Sequence, residues 1–175
     1  MLKKSNIENV LDFFFRNPTI KLSIRDISRR TGLSVPTVAS IVKKLITKDL
    51  LLNEKIGPSL MIYANLESEE FRDLKKLYNL YSLIDLKKFL VRQYNHPKVI
   101  FVYGSYAKGE DLENSDIDIA IISKLKKEID TKKFETVLER KIHIMYFDSW
   151  KSVHKNLRLN ILNGIKIYGV VDDGF

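Results

Sequence analysis

The sequence predicts an α/β (α+β) chain, and three observations predict it. Between residues 7 and 47, apolar residues recur at helical spacing in short capped segments. After residue 97, brief β-branched runs (KVIFV, DIDIAII and KIHIMYF) alternate with polar loops and helix-like stretches. The 175 residues are 45% hydrophobic and 30% charged, enough for a packed core without staples.

Ser5-x-x-Glu8 has the form of a capping box and opens the first helix, with Ile7, Val10, Leu11 and Phe14 as its apolar stripe and Asn17-Pro18 as its end. A short extended piece runs from Thr19 to Leu22. Ser23-x-x-Asp26 caps a second helix, with Ile24 and Ile27 inward and Gly32 as its stop. Ser34 caps a third, with Pro36 in its first turn. There Val38, Ile41, Val42 and Leu45 form the buried stripe, opposite Thr37, Ser40, Lys44 and Thr47. Two strand-like runs, Leu50–Asn53 and Leu60–Ala64, are joined by residues 54–59 as a hairpin. Helix, turn, helix and hairpin in this order resemble a winged helix-turn-helix domain, assigned to residues 1–66.

Charge supports that assignment. The net charge is +8. Residues 1–65 hold 11 Lys/Arg against 5 Asp/Glu, whereas residues 66–175 hold 19 against 17. The excess is N-terminal and points to a polyanion partner there. If the third helix enters a DNA major groove, Thr37 and Ser40 face bases and phosphates, Lys43 and Lys44 follow one turn on, and Lys55 lies at the wing tip. The competing reading is a solvated or dimerising face.

Residues 67–96 form a helical connector, one long helix or two, with no Gly or Pro until Pro97. Phe71, Leu74, Leu77, Tyr78, Tyr81 and Ile84 keep a period near 3.6, and Leu83, Leu86 and Leu90 continue on a shifted stripe. Such a stripe packs on its own domain or on a second copy, so a homodimer is expected.

The chemistry concentrates in residues 97–175. Lys98–Val102 reads as a buried strand broken by Gly104-Ser105. Ten residues later Asp116-x-Asp118 opens the next strand. Two residues of strand put both carboxylates on one face, roughly 7 Å apart. Their repulsion, about 2 kcal/mol at an effective dielectric near 20, is best relieved by a cation between them. Mg²⁺ takes one or two carboxylates and fills its other positions with water and substrate phosphates. Gly104 lets backbone approach a phosphate, and Ser105 offers a hydroxyl and an N–H. Either motif alone is a common turn or strand end; the combination at this spacing points to phosphoryl or nucleotidyl transfer. Beyond it, a helix over 132–140 places Phe134, Val137 and Leu138 inward, and a helix over 153–162 precedes a strand over 165–168.

Gly104-Ser105, Ala107, Gly109 and Asp116-x-Asp118 resemble the signature of the DNA polymerase β-type nucleotidyltransferase superfamily. The likeness is closest to the minimal nucleotidyltransferases, some of which are antitoxins of HEPN-type toxins. The resemblance implies a mixed sheet with flanking helices, Ser105 on the terminal phosphates with Gly104 and Lys108 beside it, and Asp116 and Asp118 as ligands of Mg²⁺ or Mn²⁺. It implies an NTP, ATP first among them, as substrate or ligand. It also implies a third carboxylate on the strand 141–147, and His143 occupies the matching position. Asp148 lies past that strand, and Glu135 and Glu139 sit on the helix before it. Imidazole is not a typical Mg²⁺ ligand. His143 is therefore a candidate general base, or a strand residue with neither role.

Three functions follow as expectations: an Mg²⁺-dependent nucleotidyltransferase moving a nucleotide monophosphate onto a hydroxyl of a protein or small molecule; a winged-helix regulator whose second domain senses a nucleotide with weak catalysis; or an antitoxin of a HEPN-type toxin. The absence of cysteine excludes disulfides and thiolate metal sites. No apolar run is long enough for a signal peptide or membrane span, so the expected location is the cytoplasm.

Overall fold

The computed structural model describes residues 5–171. It divides into two compact units, Met1–Tyr78 and Asn79–Phe175.

In the first unit, α1 (Asn6–Arg16) starts at Ser5, whose hydroxyl accepts from the Glu8 N–H while Glu8 accepts from the Ser5 N–H. Its core face is Val10, Leu11, Phe14 and Phe15; Ile7, in the first turn, is exposed instead of inward. The short β1 (Leu22–Ser23) leads into α2 (Ile24–Thr31), capped reciprocally by Ser23 and Asp26. Ser34 caps α3 (Val35–Thr47), whose buried stripe is Val38, Ile41, Val42 and Leu45. Each such side chain stabilises the unit by roughly 1.5–3 kcal/mol through burial. β2 (Leu51–Ile56) and β3 (Ser59–Ala64) pair antiparallel, and β1 adds to the far side of β3. The strands run further than the sequence pattern suggests, leaving only Gly57-Pro58 as the turn. Gly57 at φ 58° supplies the positive φ that a tight hairpin turn needs at that position. Lys55 consequently lies within β2, opposite Leu60, and not at the tip.

The connector forms two helices, α4 (Glu69–Ser82) and α5 (Ile84–Gln93), separated at Leu83. The early part of α4 completes the first core: Phe71 is buried, and its ring and that of Tyr78 lie 5.2 and 5.3 Å from Phe15. Leu77 and Tyr81, expected on the buried stripe, are 63% and 49% exposed. A period of 3.6 is shared by many faces of one helix, and α4 uses the face of Phe71, Leu74 and Tyr78.

The second unit is built on a four-stranded sheet in the order β6-β5-β4-β7, made of β4 (Val99–Tyr103), β5 (Ile117–Ile122), β6 (Ile142–Phe147) and β7 (Ile165–Gly169). β4 is antiparallel to β5 and β7, and β5 is parallel to β6, so the sheet is mixed. Ile117, Ile119 and Ile121 face one layer with Leu83, Leu86 and Leu90, which α6 (Gly104–Lys108) and α7 (Lys132–Leu138) join through Tyr106, Phe134 and Leu138. Val137 points outward, 68% exposed, against the inward expectation. Ala120 and Ile122 face the other layer, with Trp150 of a 3₁₀ turn (Trp150–Ser152), Val153 just after it and Ile161 of α8 (Lys155–Leu162). With cores on both faces, β5 needs the continuous apolar run it has.

Candidate functional site

The end of β4 and the start of β5 build the site. Leaving β4 at Tyr103, the chain turns at Gly104 with φ 76° into the short α6, which Gly109 closes. A Cβ at Gly104 would lie 2.6 Å from Asp118 Oδ2. A side chain there would push the carboxylate aside, and glycine adopts that φ without strain. Turn and carboxylate, ten residues apart between motifs, therefore meet at one point. Ser105 is half-buried in the first turn of α6 and its carbonyl accepts from the Glu110 N–H; Lys108 is exposed at the helix end.

Asp118 pairs with Tyr103 across the antiparallel edge and with His143 across the parallel one. His143 Nδ1 lies 3.4 Å from Asp118 Oδ1. The register thus puts His143 directly beside the strand carboxylate. Glu135 and Glu139 do not stand beside Asp118 in the sheet but line the cleft that Asp116 borders: the Glu135 carboxylate accepts from the Ile142 N–H and the Thr131 hydroxyl, and Glu139 caps α7. Asp148 is exposed past β6 and pairs with Lys126.

Burial holds the Asp118 carboxyl above the ordinary carboxylate range; His143 opposes this and the Asp116 charge adds to it. The neighbouring Tyr103 hydroxyl, which donates to Met145 Sδ, is pushed up by burial and by the Asp118 charge.

The strand opens one residue later than the alternation suggests, so Asp116 sits in the loop just before β5, exposed. It lies on the rim of an open cleft of about 690 Å³ whose walls include Glu113, Lys132, Glu135, Thr136 and Lys141. Among the described residues no three His, Asp or Glu side chains gather as a metal cage. Two carboxylates beside a bare backbone still fit a hard ion that shares its coordination with a bound phosphate. Asp116 and Asp118 would hold it.

Sequence reasoning missed a buried cluster next to this site. Asp111 and Asn79 are 1% and 2% exposed, and Arg140 is 8% exposed. Asn79 Nδ2 donates to Asp111 Oδ1 at 2.7 Å and to the Tyr106 carbonyl at 2.9 Å. Arg140 reaches Asp111 Oδ2 at 3.6 Å. The one local signal was Asn79, a polar residue amid the apolar stretch from Leu77 to Tyr81.

In the first unit, Ser40, Lys43 and Lys44 are exposed along α3, and Lys55 is exposed on β2. Thr37 is half-buried, and its hydroxyl lies 2.8 Å from that of Ser34 within the cap.

Fold and site together define a two-part α+β protein, a helix-turn-helix with a β-hairpin followed by a mixed sheet with a glycine turn packed on a strand carboxylate. Residues 83–168 match the family described as nucleotidyltransferase domain, and residues 9–51 match the family described as winged helix-turn-helix DNA-binding. The chain therefore joins a winged helix-turn-helix DNA-binding domain to a nucleotidyltransferase domain. No curated protein and no solved structure matches it. Among the described residues no helix is long and apolar enough to cross a membrane.

Proposed function

We propose that the second unit binds an NTP with Mg²⁺ and transfers its nucleotide monophosphate to a hydroxyl acceptor, while the first unit binds duplex DNA. The approach of the Asp118 carboxylate to the Gly104 backbone supports this reading, because it brings an oxygen ligand next to the glycine turn. In it, the Gly104 backbone and Ser105 receive the β and γ phosphates, and Lys108 adds charge. Asp116 and Asp118 hold the divalent ion, which when bound neutralises the phosphates and polarises the reacting phosphorus. The cleft beside Asp116 is wide enough for a polar acceptor. With Nδ1 directed at the Asp118 carboxylate, His143 offers its other ring nitrogen, Nε2, as the base that takes the hydroxyl proton.

A second reading, a DNA-binding regulator that senses a nucleotide and turns it over slowly, is favoured by one observation: an imidazole, not a carboxylate, stands beside Asp118. Single-turnover assays with ATP radiolabelled at the α-phosphate separate the two. Label transferred to an acceptor supports the enzyme. Bound, untransferred ATP supports the sensor. An absence of bound label removes both.

A further inference from the structure

The segment that carries Asp116, between α6 and β5, is tied at both ends to one dipeptide. Near its start, the Asp111 carboxylate is buried against the Arg140 guanidinium, with Nη2 3.6 Å from Oδ2. At its end, the Ile117 N–H donates to the Lys141 carbonyl at 2.8 Å. Between these anchors the segment closes on itself. The Leu112 N–H donates to Ser115 Oγ at 2.9 Å, and the Ser115 N–H donates to the Leu112 carbonyl at 3.1 Å. The same cluster reaches the other half of the site, because Asn79 bonds both Asp111 and the Tyr106 carbonyl of α6, next to Ser105. Ser82 Oγ donates to the Asn79 carbonyl at 2.7 Å and lies 2.9 Å from the Tyr106 hydroxyl.

A buried ion pair of this kind contributes little net stability compared with apolar residues of the same volume. What it supplies is direction: a carboxylate with both oxygens engaged has one allowed position. Loop segments without such ties drift over several orientations, and a ligand misplaced by an ångström binds its ion poorly.

We propose that Asp111 and Arg140, with Asn79, are positioning residues that hold Asp116 and the α6 turn in the geometry that binds a nucleotide-associated divalent cation. The inference rests on the reading of Asp116 as a ligand of that cation. None of the three touches the ion; they act through the segment they fix.

The test uses the full chain, Mn²⁺ as the probe ion, and a saturating non-hydrolysable ATP analogue, with free Mn²⁺ followed by electron paramagnetic resonance at 20 °C. Asp111→Asn keeps the shape and the Asn79 bond but removes the charge that faces Arg140. Arg140→Lys keeps the charge but loses the planar fork. Residues that orient a ligand typically cost 10–100-fold in metal affinity when changed. Asp111→Asn is expected to weaken Mn²⁺ binding by about 100-fold and Arg140→Lys by about 10-fold. A cluster that merely supports the fold would lower the melting temperature of both variants and leave the Mn²⁺ affinity of the folded protein at the wild-type value, which overturns the proposal. Should Asp111→Asn not fold, Arg140→Lys decides by the same criterion. A wild type that binds no Mn²⁺ with the analogue overturns the ligand role of Asp116 and this inference with it. Tight wild-type binding with unchanged variants removes this inference alone.

Discussion

Asp118 is the residue on which fold and chemistry pull in opposite directions. Burial raises its carboxyl, so the native state keeps that proton to higher pH than the unfolded chain does. Stability is lost as pH rises from the ordinary carboxylate value through the raised one, and the loss persists above it. Asp118→Asn should therefore stabilise the chain at pH 8 without divalent ions, and the gain should vanish near pH 3. The side chain is about a third exposed, so screening keeps the effect small, a rise in melting temperature of roughly a few degrees at most. Calorimetric scans at both pH values check this. A lower melting temperature at pH 8 would mean that hydrogen bonds to the charged form outweigh its burial.

His143 gives a second prediction at this scale. In the proposed role of base, His143→Ala should lose about 10²-fold in single-turnover transfer with little change in NTP affinity. A faster His143→Asp would instead show that an oxygen ligand is wanted there. Equal rates in all three would place His143 outside the chemistry.

Helices with a cap and a single apolar face were legible: Ser5, Ser23 and Ser34 each make the bond that their position in sequence suggests. Elements failed where periodicity had to choose between faces. Leu77, Tyr81 and Val137 fit a helical stripe but lie outside the faces that α4 and α7 bury. The hairpin was misjudged in length because Glu54, Lys55 and Ile56 read as loop, yet strand pairing with Ser59–Met61 carries them. The site divided the same way. The glycine turn and Asp118 were legible because one short motif holds both. Asp111, Asn79 and Arg140 were not, since Asn79 lies 32 residues before Asp111, Arg140 is about as remote on the other side, and only the fold joins them. For α3, replacing both Lys43 and Lys44 with Ala should weaken duplex binding about equally on every sequence, because phosphate contacts carry no base information. Ser40→Ala should alter the preferred sequence with a smaller loss of affinity, about 1–3 kcal/mol on the best site. Gel shifts against a pool of genomic fragments check both; unchanged retention by the double variant would remove α3 as the contacting helix.

For the whole molecule, the charge distribution separates two kinds of ligand. Residues 1–78 hold 14 Lys/Arg against 9 Asp/Glu and the remainder 16 against 13, with the excess concentrated in residues 1–65, a balance that favours the first unit as the one facing a polyanion. DNA binding by the full chain should fall by at least about 10³-fold between 50 and 200 mM salt if six or more phosphates are contacted. The proposed nucleotide binding in the second unit would rest on a few oriented contacts and a shared ion, and should depend on Mg²⁺ far more than on salt. The central claim is that the Gly104 turn and the Asp118 carboxylate form one nucleotide site. Titration calorimetry of the full chain with ATP, with and without Mg²⁺, tests it most directly when Asp118→Asn is measured alongside. The account predicts wild-type binding that Mg²⁺ strengthens by about 10-fold or more, and a folded Asp118→Asn in which Mg²⁺ adds nothing. Equal Mg²⁺-dependent binding by the two proteins would contradict it.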